Sequence, residues 1–335
     1  MSLVVVTGAS GFLGSHIIAQ LLDGGYRVRG VARSRTAPKV AEKYTSYGDK
    51  FEVVVAEDLA TSDLSNVFKG ADALIHVASP LGGASAAIIL QSAVDGTLKV
   101  VEAAVKAGIK KVVVTSSVVA LYNPTQPAQA TIGEKDHNNM TWEEALKPEN
   151  VGLPVYAASK GLAEQALRKF AAEHPELDVA TVHPPYIYGP TGPGQVITAP
   201  AAGTNEQIYV LIKGEKGRPL PAQINPQFVN VHDAARAHVL ALKAPPSDTP
   251  KRIVIRGGSF TYKQATEYLL KERPELKERL PVITGNEPPS RSYGIYDNSS
   301  AARIIGLKDY IGWQETLSST IDDILQKEKV FGVPV

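Results

Sequence analysis

Near its start the chain runs Leu3-Val4-Val5-Val6-Thr7-Gly8-Ala9-Ser10-Gly11-Phe12-Leu13-Gly14, and no other stretch restricts the possible folds as strongly. A short β-branched run of this kind reads as a strand buried on both faces of a parallel sheet. Beyond the glycines, Ile17, Ile18, Leu21 and Leu22 recur at helical spacing until Gly24-Gly25 ends the helix. A second strand over 26–32 closes a βαβ unit of the usual ~30-residue length. Glycines at the strand-to-helix turn let the backbone approach a pyrophosphate, and the helix N-terminus offers free N–H groups and partial positive charge. The spacing is G-x-x-G-x-x-G rather than G-x-G-x-x-G, but its place between strand and helix points to a dinucleotide site.

The second strand ends at Arg33, where NAD-specific sites usually carry an acidic residue for the ribose 2′-hydroxyl. A guanidinium there suits a 2′-phosphate instead, and Arg35 and Lys39 add positive charge, so NADP(H) is the expected cofactor. A basic loop facing water is the plainer alternative. Asp58, after a third strand over 51–55, is placed to accept from an adenine amine or to serve as a turn or cap residue.

Further strands read over 73–77, 112–114, 179–182 and 251–255, and helices over 94–106, 156–174, 204–213, 231–243, 261–271 and 314–329. The helix over 231–243 reads as interrupted or opened near His232-Asp233. Strand-helix alternation with short connections predicts an α/β fold, a Rossmann-type doubly wound parallel sheet. The loop 78–83 lies where such sheets bind ligands, 124–154 reads as a loop excursion, and 192–203 as a mobile loop. The predicted division is a cofactor-binding domain over 1–190, with 225–258 returning to it, and a smaller, partly inserted substrate lobe over 191–335.

Tyr156 and Lys160 are four apart, so on a helix both side chains leave one face. An ammonium one turn from a phenol favours the phenolate and moves its pKa from ~10 toward the working range of an acid-base catalyst.

The formal net charge of +1 argues against a nucleic acid or an anionic membrane as partner. No apolar run approaches the ~18 residues of a membrane span, and the first strand begins too early for a signal peptide. With no cysteine, disulfides, thiolate metal sites and a Cys nucleophile are excluded, and the cytoplasm is the expected compartment.

Taken in order, Thr7-Gly-Ala-Ser-Gly-Phe-Leu-Gly14, Arg33, Asp58-Leu59, Thr115-Ser-Ser117, Tyr156-x-x-x-Lys160 and Pro184-Pro-Tyr-Ile-Tyr-Gly-Pro190 resemble the extended short-chain dehydrogenase/reductases. The resemblance continues through Phe228 to His238 and Asp297 to Leu307, and spans nearly the whole chain. It is nearest the branch of dihydroflavonol 4-reductase, cinnamoyl-CoA reductase and the fungal NADPH-dependent aldehyde/ketone reductases. It implies Tyr156 as the acid that protonates a carbonyl oxygen, Lys160 as its tuning partner and ribose ligand, and Ser117, rather than Ser116, as holder of that oxygen. It further implies Gly8, Gly11, Phe12, Leu13 and Gly14 around the pyrophosphate, Arg33 and Lys39 on the 2′-phosphate, and Asp58 with Leu59 on the adenine. Val77, Ala78 and Ser79 would line the channel, and Pro184 and Ile187 the nicotinamide. His183 and His232 stand where the family often has Asn and Arg. Neither has metal-ligand company, and no metal is expected.

The expected activity is NADPH-dependent, reversible reduction of a small-molecule aldehyde or ketone, by a monomer or homodimer. A dihydroflavonol- or cinnamoyl-CoA-type reductase, a nucleotide-sugar epimerase or dehydratase, and a non-catalytic NADP-sensing regulator are the alternatives. Few fixed charges in 122–153 and 191–209 favour a neutral or apolar carbonyl, with Tyr186, Tyr188 and Tyr209 either lining the pocket or packing the core.

Overall fold

A computed structural model describes residues 2–79, 85–287, 290 and 293–333. The opening unit is β1 (Leu3–Thr7), α1 (Phe12–Asp23) and β2 (Arg27–Ala32), followed by α2 (Ala37–Lys43), β3 (Phe51–Val55) and α3 (Ser65–Phe68). β4 (Ala73–His76), α4 (Ala86–Lys106) and β5 (Lys111–Thr115) continue the alternation. The excursion over 124–154 holds β6 (Thr131–Ile132) and the single turn α5 (Trp142–Ala145), opened by a Thr141–Glu144 capping box. Then come α6 (Leu153–Glu173), β7 (Asp178–His183), β8 (Tyr186–Tyr188), α7 (Glu206–Tyr209), β9 (Gln227–Asn230) and α8 (Val231–Lys243). The chain closes with β10 (Lys251–Val254), β11 (Gly258–Ser259), α9 (Tyr262–Glu272), β12 (Ile295–Tyr296), α10 (Ser299–Ile305) and α11 (Trp313–Val330).

Seven strands form the main sheet in the order β10-β7-β5-β4-β1-β2-β3, every neighbouring pair parallel. The unbroken apolar run of β1 follows from burial on both faces. Val4 and Val6 pack with Ile17 and Leu21 of α1 and Ala234 and Ala237 of α8. Val5 points the other way, into a core shared with Val100 and Val101 of α4 and Leu167 of α6. A third core gathers Tyr188, Ile208, Tyr209, Phe228, Phe260, Leu269, Leu317 and Ile321 around a small sheet, β11-β9-β8. β10 follows β7 in the chain only after β8, α7, β9 and α8, yet pairs with it, from Lys251↔Ala180 to Val254↔His183.

Several elements differ from the sequence expectation. α4 starts at Ala86, two turns before 94, and Ile88 on its added segment is 57% exposed, so apolar spacing there does not mark a buried face. α8 has the expected bounds and opens at 231, where the Asn230 side chain accepts from the His232 amide, so of the two readings near His232 the opening holds and the interruption does not. The expected helix over 204–213 reduces to a 3₁₀ turn and the four residues of α7, beyond which the Leu211 and Ile212 amides bond three residues back and Arg218 caps the Val210 and Leu211 carbonyls. The loop 192–203 is tied down: Val196 N donates to Ser10 O at 3.0 Å, and a Cβ on Gly192 would lie 2.0 Å from Ser15 Oγ. No helix among the described residues is long and apolar enough to cross a membrane.

Candidate active site

In a parallel sheet all carboxyl ends share one edge, and chain order reverses between β1 and β4, where such sheets hold ligands. Thr7 ends β1 opposite His76 of β4. Its Oγ1 accepts from the amides of Val77 and Ala78 at 3.0 and 3.1 Å, and lies 2.8 Å from His76 Nδ1. One hydroxyl thus locks the two loops that would enclose a pyrophosphate. Gly8 takes φ +74, which disfavours any side chain, and its own missing Cβ would sit 3.1 Å from Ala78 N. A Cβ on Gly14 would lie 2.2 Å from Gly8 O, so this glycine is what lets α1 pack under the turn. α1 begins at Phe12 with no side-chain cap from Gly11, leaving the first-turn amides of Phe12, Leu13 and Gly14 for an anion. These features fit a dinucleotide phosphate.

Arg33, Arg35 and Lys39 are all exposed just beyond β2. Sequence reasoning passed over a fourth member of this group: Glu57 Oε1 accepts from Ser34 N at 2.8 Å. The Ser34 hydrogen bonds, then the Arg33 and Arg35 charges, hold the Glu57 carboxyl below its ordinary range. Asp58 performs the turn role, Oδ1 accepting from Ala60 N at 2.9 Å, while Leu59 packs against the second core. Val77, Ala78 and Ser79 are half-buried along the loop after β4. The remainder of that loop, 80–83, lies outside the described residues.

Ser117 follows β5 and opens a 3₁₀ turn, its Oγ accepting weakly from Val119 N at 3.4 Å. α6 starts at Leu153, which places Tyr156 in the first helical turn and Lys160 one turn on. Ser117 lies beside the Tyr156 phenol, near enough to pull its pKa down. The neighbouring Ser116 turns away and donates to Glu164 Oε2 at 2.7 Å, so Ser117 and not Ser116 is beside the phenol. Burial pushes the Tyr156 pKa up, against the pull of Ser117, and Tyr186 pushes it up further. The expected lowering by Lys160 is not what prevails. The Lys160 Nζ lies 5.9 Å from the ring centroid, too far to offset the loss of solvent around the phenol. Burial brings Lys160 itself down to about 8, against the pull of Glu164. Among the described residues its Nζ makes no hydrogen bond or ion pair, which leaves its donors for a ribose hydroxyl.

Pro184 is buried after β7, and its carbonyl accepts from Val118 N at 3.2 Å, which fixes the Ser117 turn beside it. Ile187 of β8 is half-buried against the first core. Of the three tyrosines considered for the pocket, Tyr186 is half-buried within electrostatic reach of Tyr156, whereas Tyr188 and Tyr209 are core residues, and the Tyr209 hydroxyl donates to Glu328. Tyr122, Tyr293 and Tyr296 join Tyr186 instead: Tyr122 stacks on Tyr293 at 5.0 Å, and both Tyr293 and Tyr296 act electrostatically on Tyr186 or are acted on by it. Tyr293 lies so far along the chain from Tyr156 that no spacing rule links them. No group of three or more metal-ligating side chains occurs among the described residues.

A phosphate cradle at the switch point of a doubly wound sheet, with a Ser–Tyr–Lys group at the same edge, marks a nucleotide-dependent oxidoreductase. The family profile described as "NAD dependent epimerase/dehydratase family" matches residues 4–255. An oxidoreductase of Schizosaccharomyces pombe is 37% identical over 342 residues, with 98% of each chain covered. The ketoreductase azaE of Aspergillus niger is 32% identical, with 91% of this chain and 92% of that one covered. Gre2 from Candida albicans, solved in complex with NADPH, superposes with a TM-score of 0.86 at 27% identity, over 98% of this chain and 99% of that one. The chain belongs to the NAD-dependent epimerase/dehydratase family, the extended short-chain dehydrogenase/reductases, and is an NAD(P)-dependent oxidoreductase.

Proposed function

We propose that the protein is an NADPH-dependent carbonyl reductase that converts a neutral aldehyde or ketone to an alcohol. The observation that carries this reading is the placement of Ser117 beside the Tyr156 phenol, with the Lys160 Nζ 5.9 Å from its ring, at the edge where the glycine cradle opens. When bound, the reduced nicotinamide supplies the hydride. Tyr156, kept protonated by burial, donates its proton to the carbonyl oxygen, and Ser117 holds that oxygen as negative charge develops. Lys160 binds the ribose and offsets charge on the phenolate as the proton leaves. Gly8, Gly11, Phe12, Leu13 and Gly14 hold the pyrophosphate, Arg33 and Lys39 the 2′-phosphate, and Asp58 with Leu59 the adenine. Val77, Ala78 and Ser79 flank the channel, while Pro184 and Ile187 support the nicotinamide face.

The NADPH assignment is supported by Arg33 and Arg35 at the end of β2 and by the NADPH in the Candida albicans relative. The ketoreductase relative supports the reaction class. Tyr186 and Tyr293 present phenols rather than cations, which suits apolar and aryl carbonyls over carboxylates or CoA thioesters. The test is initial-rate measurement with NADPH and with NADH across aliphatic, aryl and α-keto-ester carbonyls. Turnover with NADPH well above NADH supports the proposal. Tight NADPH binding with no oxidation across the panel overturns it in favour of a non-catalytic sensor.

A further inference from the structure

Behind the proposed proton-transfer group lies a buried charged cluster that the mechanism does not use. Glu164, 6% exposed, sits on α6 one turn beyond Lys160. Its Oε2 accepts from Ser116 Oγ at 2.7 Å and lies 2.8 Å from His183 Nε2, while Oε1 accepts from Arg252 Nε at 2.6 Å. Arg252 is held in turn by the carbonyls of Glu134 and Asp136, at 2.5 and 2.7 Å. Three strand ends, β5, β7 and β10, therefore converge on one carboxylate. Among the described residues the buried His183 Nδ1 has no hydrogen-bond partner, so this histidine is turned toward Glu164 at the expense of its other nitrogen.

Resting on the reading of Lys160 as functional, we propose that Glu164 is a positioning residue whose buried carboxylate is the counter-charge that keeps Lys160 an ammonium. The two groups share one face of α6 without a direct ion pair, so the carboxylate acts through the field across one helical turn. A lysine in so enclosed a site is drawn toward the neutral amine, and Glu164 opposes that. The other groups around this pair are Tyr156 on α6, His76 at the end of β4, and His183 and Arg252 on β7 and β10. His137 and Arg168 lie on the far side of Glu164. Asp95 of α4, the helix packed along α6, is exposed and bonded to Gln91. Glu164 is the buried carboxylate among them.

Lysine-labelled protein makes the titration of Lys160 visible by NMR without cofactor, its side-chain signal assigned by its loss in Lys160→Met. In Glu164→Gln the midpoint is expected to fall by about one unit or more, and the alkaline limb of kcat/KM for carbonyl reduction to move down with it. In Arg252→Gln, which removes the opposing positive charge, both are expected to move up. Opposite shifts from two variants that each break the same hydrogen bond cannot come from loosened packing. An unmoved midpoint in Glu164→Gln, or shifts of the same sign in both variants, overturns the inference and leaves Glu164 as a brace. If Glu164→Gln does not fold, the double variant Glu164→Gln/Arg252→Gln, which buries no unpaired charge of the pair, is compared with Arg252→Gln, and a Lys160 midpoint no lower in the double variant overturns the inference. Full turnover in Lys160→Met overturns the reading of Lys160 itself, a failure distinct from that of Glu164.

Discussion

At the residue scale, each group of the site is set by a contest between solvent loss and a local partner. For Tyr156 burial prevails over the pull of Ser117, so the phenol carries its proton through neutral pH and is poised as an acid. Replacing Tyr156 by Phe should lower kcat by about 10² to 10⁴-fold while leaving NADPH affinity nearly unchanged, as turnover and fluorescence titration would show. Retained turnover would remove Tyr156 from the mechanism. Around the proposed 2′-phosphate site the contest is between charges. Arg33→Ala should weaken NADPH binding about tenfold or more with little effect on NADH. Glu57→Gln should tighten NADPH instead, because a carboxylate now faces Arg33 and Arg35. Equal responses of both cofactors in direct binding measurements would mean that these residues do not discriminate between them.

At the element scale, the junction of β1 and α1 does two things with one set of atoms. Gly14 allows close packing of helix on turn, and that packing presents the first-turn amides at the sheet edge. Gly14→Ala would drive a methyl group into Gly8 O, so the helix must shift or the turn must open. The expected cost is about 1–3 kcal/mol of stability together with weakened NADPH binding, read from denaturant unfolding and cofactor titration. If stability fell but affinity did not, the turn would not be the pyrophosphate cradle. The loop over 192–203 matters for the same reason: pinned through Val196 to Ser10, it joins the segment after β8 to the glycine turn.

Across the whole molecule, three buried histidines make the fold sensitive to acid. Burial is the leading cause in each: His16 is brought to about 4, His76 to about 3 and His238 to about 4. All three are neutral in the folded chain below pH 6.5, where the unfolded chain already takes up protons. Because their folded pKa values are depressed, the stability they provide is full above about 6.5 and is lost as pH falls toward 4. Each contributes a slope of about 1.4 kcal/mol per pH unit in that window. Calorimetry should show the melting temperature falling steadily from near pH 6.5 to pH 4.5. A flat profile down to pH 5 would contradict the neutral assignment. Glu164, brought down to about 2 by its partners against burial, adds a further loss only below about pH 4.5.

Sequence alone determined the α/β class, the glycine turn with its helix, the Tyr156–Lys160 spacing and the basic end of β2. All of these are local: residue periods of two and 3.6, and the conformational freedom of glycine, act between neighbours in the chain. What tertiary structure decided was that Ser116 turns to Glu164, and that Tyr188 and Tyr209 pack in the core while Tyr186 lies within electrostatic reach of Tyr156. It also decided that burial outweighs Lys160 at Tyr156, and that Ser116, Glu164, His183 and Arg252 form one cluster. Arg252 comes from β10, long after Glu164 in the chain, and reaches it only because β10 joins the sheet beside β7. Desolvation and long-range pairing depend on what the folded chain brings together, and no spacing along the sequence records it.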